Sequence, residues 1–125
     1  MCGIIGISSN KSVSASIISS LKKLEYRGYD SAGIATLFQG EIKEVKSEGR
    51  VDALEQNFDL KNLKGNIGIG HVRWATHGVP NSVNAHPHSS DNVSVVHNGI
   101  IENSTILKKY LINKGHVFKS QTDTE

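Results

Sequence analysis

The segment Ile67-Gly68-Ile69-Gly70-His71-Val72-Arg73-Trp74-Ala75-Thr76 constrains the fold of this chain more than any other stretch. It reads as a strand, and its glycines let another backbone or a ligand approach closely. A second short strand is expected at Gly3 to Ile7, and a third at Ser31 to Phe38. After the third, Gln39-Gly40 reads as a turn, and Ile42 and Val45, with alternating polar neighbours, make a return strand. Val93 to Val96 and His116 to Ser120 complete the expected strands.

Helical spacing appears between them. Val13, Ile17, Ile18, Leu21 and Leu24 form one helix face, with Ser12 or Ser14 as N-cap and Gly28 as the stop. Val51, Leu54 and Phe58 form a short helix over residues 50 to 58. Ile106, Leu107, Tyr110 and Leu111 form another, capped near Ser104 and stopped by Gly115. Residues 62 to 66 read as a polar connection, and His77 to Asp91, which holds both prolines, reads as a loop whose length marks it as functional or mobile. Thr122-Asp123-Thr124-Glu125 has the composition of a helix start, so the sequence is read as interrupted there.

At 125 residues the chain is one domain or part of one. Its net charge is +2 and its basic residues are scattered, which argues against nucleic-acid binding. A single cysteine excludes an internal disulfide framework and any multi-cysteine zinc site. The apolar opening is too short for a signal peptide, and no stretch approaches the ~20 apolar residues of a membrane span. The default expectation is a soluble cytoplasmic protein.

Cys2 is the second residue encoded. Removal of Met1 would give it a free α-amine beside its thiol, so that one residue supplies both nucleophile and base. The bland alternative is a small buried hydrophobe near a frayed end. Four other clusters lie at strand ends or in loops. Tyr26 to Ser31 reads first as a polar turn with an exposed pairing of Arg27 and Asp30. Arg73-Trp74-Ala75-Thr76-His77-Gly78 is either a strand end with an aromatic anchor or a site for a small acid or zwitterion, because the arginine fork suits a carboxylate. Asn98-Gly99 is either a hairpin turn or a pair of oxyanion donors, one side-chain amide and one backbone N–H. Asp123 is either a solvated carboxylate or the partner of a substrate ammonium. His86 and His88 flank Pro87, and no carboxylate or cysteine joins them at ligand spacing, so no metal and no cofactor are expected.

Taken in order, Met1-Cys2-Gly3-Ile4-Ile5-Gly6, Leu24 to Gly33, Gly70 to Gly78, Asn84-Ala85-His86-Pro87-His88, His97 to Asn103 and Thr122 to Glu125 resemble one family closely. It is the glutaminase domain of the glucosamine-6-phosphate synthases, class II glutamine amidotransferases. The Tyr-Asp-Ser form of the second motif fits that branch better than the purine or asparagine amidotransferases. The resemblance implies an α+β fold of the N-terminal nucleophile hydrolase type, a four-layer α/β/β/α sandwich of which residues 1–125 would be the first half. A sugar isomerase domain, absent here, would follow as a separate or lost chain.

The same resemblance implies hydrolysis of L-glutamine to glutamate through a cysteine thioester, with ammonia passed on to make glucosamine 6-phosphate from fructose 6-phosphate. Residue by residue, Cys2 matches the nucleophile, and Asn98 and Gly99 match the oxyanion hole. Arg73 matches the grip on the glutamine carboxylate, with Thr76 and His77 beside it, and Asp123 matches the ammonium partner. Trp74 matches a residue shaping the ammonia exit, and Arg27 one that closes over the site. Weak or absent activity is expected of the 125-residue chain alone. The alternatives are a non-catalytic remnant that binds glutamine or a complementary chain, and the glutaminase domain of a purine-type amidotransferase. Oligomeric state is left open.

Overall fold

The computed structural model describes residues 1–125. Four strands, β1 (Gly3–Ser8), β2 (Ser31–Phe38), β3 (Glu41–Glu48) and β4 (Ile67–Arg73), form one antiparallel sheet in the order β1-β4-β2-β3. The glycine-rich strand is therefore central, with Gly3 opposite Val72 on one side and Ala32 opposite Val72 on the other.

Its glycines face the helix α1 (Ser14–Leu24), whose Val13, Ile17, Ile18 and Leu21 form the buried stripe. A Cβ at Gly68 or Gly70 would come within 2.7 Å of Ile17, so the bare backbone is what lets the helix settle onto the sheet. A second helix, α2 (Val51–Asn57), adds Val51 and Leu54 to the same ten-residue core. Burying each of these aliphatic side chains contributes about 1.5–3 kcal/mol before entropy is counted.

The opposite face of the sheet is also covered. β2 is buried continuously from Ser31 to Thr36, the pattern of a strand packed on both sides. There the 84–88 segment lies against Gly33, where any Cβ would collide with the carbonyl of His86. Two short strands follow, β5 (His88–Ser90) and β6 (Val93–Val95), paired antiparallel as the start of a second sheet. Ser89 hydroxyl donates to the Glu44 carboxylate of β3 and so ties the two sheets together. Helix α3 (Ser104–Asn113) comes last, and its Leu111 lines a groove with Val93 and Val95. The layers thus run helices, sheet, short sheet, helix. This is the α/β/β/α order in an α+β fold.

Several expectations need correction. Neither Ser12 nor Ser14 caps α1: the N-cap is Val13, whose N–H bonds to the Gly65 carbonyl across the sheet. Gly28 does not end the helix in a left-handed turn; a 3₁₀ turn at Glu25–Arg27 intervenes and Gly28 is extended. β4 stops at Arg73 rather than Thr76, and β5 lies inside the expected 77–91 loop. α3 follows Asn103 with no side-chain cap from Ser104, and its apolar Ile106 and Tyr110 are exposed. Residues 116–120 form no strand: the Glu125 carboxylate takes the N–H groups of Lys119 and Ser120, and Val117 is 83% exposed. Residues 122–125 start no helix; the Glu125 carboxylate instead accepts the backbone N–H groups of Lys119 and Ser120.

Candidate active site

Antiparallel register delivers the cysteine. Gly3 pairs with Val72, so Cys2 lies beside the exit of β4, where the Trp74 N–H donates to its Sγ at 3.2 Å. The 73–75 backbone is clamped from the turn before β2. Asp30 N–H donates to the Arg73 carbonyl, and its carboxylate accepts the Ala75 N–H at 2.8 Å. Gly28 packs so closely that a Cβ there would be 2.6 Å from the Arg73 carbonyl carbon. Tyr29 meets Trp74 edge-on at 6.1 Å between ring centroids. Arg27 and Asp30 therefore do not form the exposed pair expected from sequence. Arg27 reaches back instead, and its Nε donates to the Cys2 carbonyl at 3.0 Å.

A cavity of about 480 Å³ opens over Cys2. Its lining includes Cys2, Arg27, Arg73, Trp74, Thr76, His77, Asn98, Gly99 and Asp123, all nine residues singled out from the sequence. Met1, His86, His97, Ile100, Thr122 and Thr124 complete it, and these the sequence reading missed.

Arg73 is 4% exposed, and its guanidinium donates to the carbonyls of His77, Gly78 and Val79. Burial lowers its pKa, while the charges of Cys2, Asp30 and Asp123 raise it. No carboxylate lies within ion-pair distance, so a buried cation stands with only carbonyl partners. Such a charge favours an incoming carboxylate. Asp123 accepts the Ile101 N–H at 2.7 Å through Oδ2. That bond fixes the carboxylate at the cavity wall.

Asn98 donates from Nδ2 to the Cys2 carbonyl at 3.1 Å, and its Oδ1 lies 2.9 Å from His71 Nε2. Gly99 follows in no hairpin, and its N–H finds no backbone acceptor. Asn98 is thus tied to the cysteine, and Gly99 lines the same cavity.

Beneath them is a stack of buried imidazoles. His71 and His86 lie face to face at 4.3 Å, and His88 meets His86 edge-on at 4.8 Å. Burial pushes His71 and His88 down to about 4 and His86 to about 2, so all three are neutral at pH 7. His88 Nε2 lies 2.8 Å from the Thr122 hydroxyl, and His86 Nδ1 accepts the His97 N–H at 3.4 Å. The stack joins the 84–88 segment to the strand exits around Asn98 and to the 120–124 segment. Weighing these histidines only as metal ligands hid this role; the run of small and imidazole side chains at Asn84 to His88, buried throughout, was its one signal.

In fold and sequence the chain is similar to the glutamine amidotransferase domains of the N-terminal nucleophile hydrolase type. The glutamine phosphoribosylpyrophosphate amidotransferase from B. subtilis complexed with ADP and GMP superposes with a TM-score of 0.83 at 31% identity over 99% of this chain and 27% of its own. A structure described as the allosteric regulatory enzyme of purine biosynthesis gives 0.85 at 32% identity over 99% of this chain and 28% of its own. Sequence similarity is higher elsewhere: the chain corresponds to the glutaminase part of the glutamine–fructose-6-phosphate aminotransferases (isomerizing). It is 56% identical to that of Mesorhizobium japonicum over 125 residues, 56% to that of Pyrococcus horikoshii over 127, and 57% to that of Clostridium acetobutylicum over 127. Each match covers the whole chain and 21% of the relative, so the chain spans about a fifth of their length. No family model matches it.

Proposed function

We propose that this chain hydrolyses L-glutamine to glutamate and ammonia, as the glutaminase part of a glutamine–fructose-6-phosphate aminotransferase. One observation carries the reading: a single cavity gathers a thiol, a side-chain amide, a backbone N–H with no backbone acceptor, a buried cation and a carboxylate. Glutamine presents the complement, an α-carboxylate and an α-ammonium at one end and an electrophilic amide at the other.

In this chain Met1 holds the Cys2 nitrogen in a peptide bond, so catalysis requires its removal. The freed amine, titrating near ~7.7–8.0, then takes the thiol proton, directly or through a water. Arg73 receives the α-carboxylate and Asp123 the α-ammonium, with Thr76 and His77 beside them, and this places the side-chain amide over Sγ. Attack on the amide carbon forms a tetrahedral oxyanion that meets the Asn98 Nδ2–H and the Gly99 N–H. Losing one such donor typically costs ~3–4 kcal/mol of barrier. The amide nitrogen leaves as ammonia after protonation, and water cleaves the thioester to give glutamate. Arg27 closes over the site from the side of Cys2, and Trp74 shapes the exit for ammonia.

Delivery of that ammonia to fructose 6-phosphate, to make glucosamine 6-phosphate, belongs to the same proposal. A sugar isomerase domain on the remainder of such an enzyme would receive it. A purine-type role is less well supported, since identity to those structures is 31–32% against 56–57% for the hexosamine enzymes. The free nucleophilic thiol suits a reducing compartment, which supports a cytoplasmic location. The exposed apolar face of α3 and the three-residue strands of the second sheet support slow turnover by these 125 residues alone.

The test is covalent labelling by an electrophilic glutamine analogue, 6-diazo-5-oxo-L-norleucine, on the chain with Met1 removed. Intact mass should rise by one adduct, located at Cys2, with glutamine protecting. A folded, Met1-free chain that takes no adduct, or takes it without protection by glutamine, would overturn the proposal.

A further inference from the structure

Asn98 is exposed to the cavity, so packing does not fix which way its amide faces. Hydrogen bonding does. The Cys2 carbonyl is an acceptor only, so the atom 3.1 Å from it is Nδ2. Oδ1 must then face His71, and the nitrogen 2.9 Å from it must carry a proton. That nitrogen is Nε2. His71 Nδ1 is buried without any partner, so protonating it instead would leave an orphaned N–H. His71 itself is completely buried, stacked on His86 and seated in the central strand. It is a rigid support under a mobile amide.

We infer that His71 is a positioning residue for the reaction: its Nε2–H donates to Asn98 Oδ1 and holds the amide so that Nδ2 faces the nucleophile. Nδ2 carries two hydrogens. The Cys2 carbonyl takes one, and no other acceptor of the chain takes the second. The second hydrogen is the one available to an oxyanion. Without His71 the amide can rotate and present Oδ1, an acceptor, to developing negative charge. The kinetic consequence rests on the glutaminase reading above; the hydrogen bond does not.

The test uses the 125-residue chain with Met1 removed, labelled with ¹⁵N, as wild type, His71→Gln and His71→Met. Glutamine keeps a donor where Nε2–H stood; methionine fills the space without one. Long-range imidazole ¹H–¹⁵N spectra should give His71 as the Nε2–H tautomer. The Asn98 side-chain amide should exchange slowly in wild type and His71→Gln, and rapidly in His71→Met. Glutamine hydrolysis should fall ~10–100-fold in kcat for His71→Met with KM within about twofold, part of the ~10²–10³ that a lost oxyanion donor costs. His71→Gln should recover most of that loss. An Nδ1–H tautomer, equal exchange in all three proteins, or equal kcat losses in the two folded variants would overturn the assignment. If wild type hydrolyses no glutamine and takes no 6-diazo-5-oxo-L-norleucine adduct at Cys2, the glutaminase reading falls, while tautomer and exchange still decide the His71–Asn98 link.

Discussion

Acidification from pH 7.5 to 5.0 should destabilise this fold through the imidazoles of His71, His86 and His88. All three are buried, at 0%, 5% and 9% exposed. Burial holds His71 and His88 at about 4 and His86 at about 2 in the folded state. In the unfolded chain each titrates near ~6.5. Between those values the unfolded chain binds more protons, so stability is full above about 6.5 and falls as pH drops below it. By pH 5.0 the loss is 1.5 pH units at about 1.4 kcal/mol each, or about 2 kcal/mol per histidine and about 6 for three. That is comparable with the ~5–15 kcal/mol total of a small domain. The groups facing the stack do not cancel the loss: Arg73 and Lys46 oppose protonation, and Glu44 and Glu125 favour it only at His88. Urea unfolding at several pH values, followed through the single tryptophan, Trp74, measures the effect directly. His71→Gln should remove about a third of the pH-dependent loss. Equal unfolding free energies at pH 7.5 and 5.0, or a His71 ring that titrates near ~6.5 in the folded chain, would refute the reasoning.

Three further outcomes follow from the clamp on the 73–75 backbone and from the sheet. Gly28→Ala should cost about 1–3 kcal/mol in urea unfolding and slow labelling of Cys2, because its Cβ would press on the Arg73 carbonyl rather than on a side chain that can swing away. Asp30→Ala should lose about 1–3 kcal/mol by leaving the Ala75 N–H without its acceptor, whereas Asp30→Asn, which keeps one, should lose less. Gly68→Ala should cost about 1–3 kcal/mol by lifting Ile17 and α1 off the sheet, with the unfolding midpoint as readout.

What the sequence made legible was whatever its local pattern controls. β2, the Gln39-Gly40 turn and β3 stand where alternation and turn chemistry put them, with Gln39 and Gly40 both at positive φ. The stripe of α1 was equally clear. Its start was not, because Val13 is fixed by a carbonyl from residue 65, a partner that no local motif announces. β5 escaped notice because a three-residue strand of His and Ser carries no apolar alternation. His116 to Ser120 has the composition of a strand, but its N–H groups at His116, Lys119 and Ser120 bond to Leu111 and Glu125 instead of to a strand. In the site, the chemically distinctive residues were legible from their motifs, and the structure brings them to one cavity. Their supports were not. The bond from Arg27 to the Cys2 carbonyl and the imidazole stack both join residues far apart in the chain, and only the folded sheet brings them together.

The pairing of Gly3 with Val72 has a consequence for how this protein can fail. Strand registry changes in whole residues: one step turns every side chain of β1 to the other face, and two steps carry Cys2 ~7 Å along β4. Intermediate placements of the thiol are not available to a paired strand. Reduced activity in a damaged preparation should therefore come from a minority of fully competent molecules among inert ones. Titrating reactive thiols against total protein counts that minority, and turnover per reactive thiol should stay constant while the count falls.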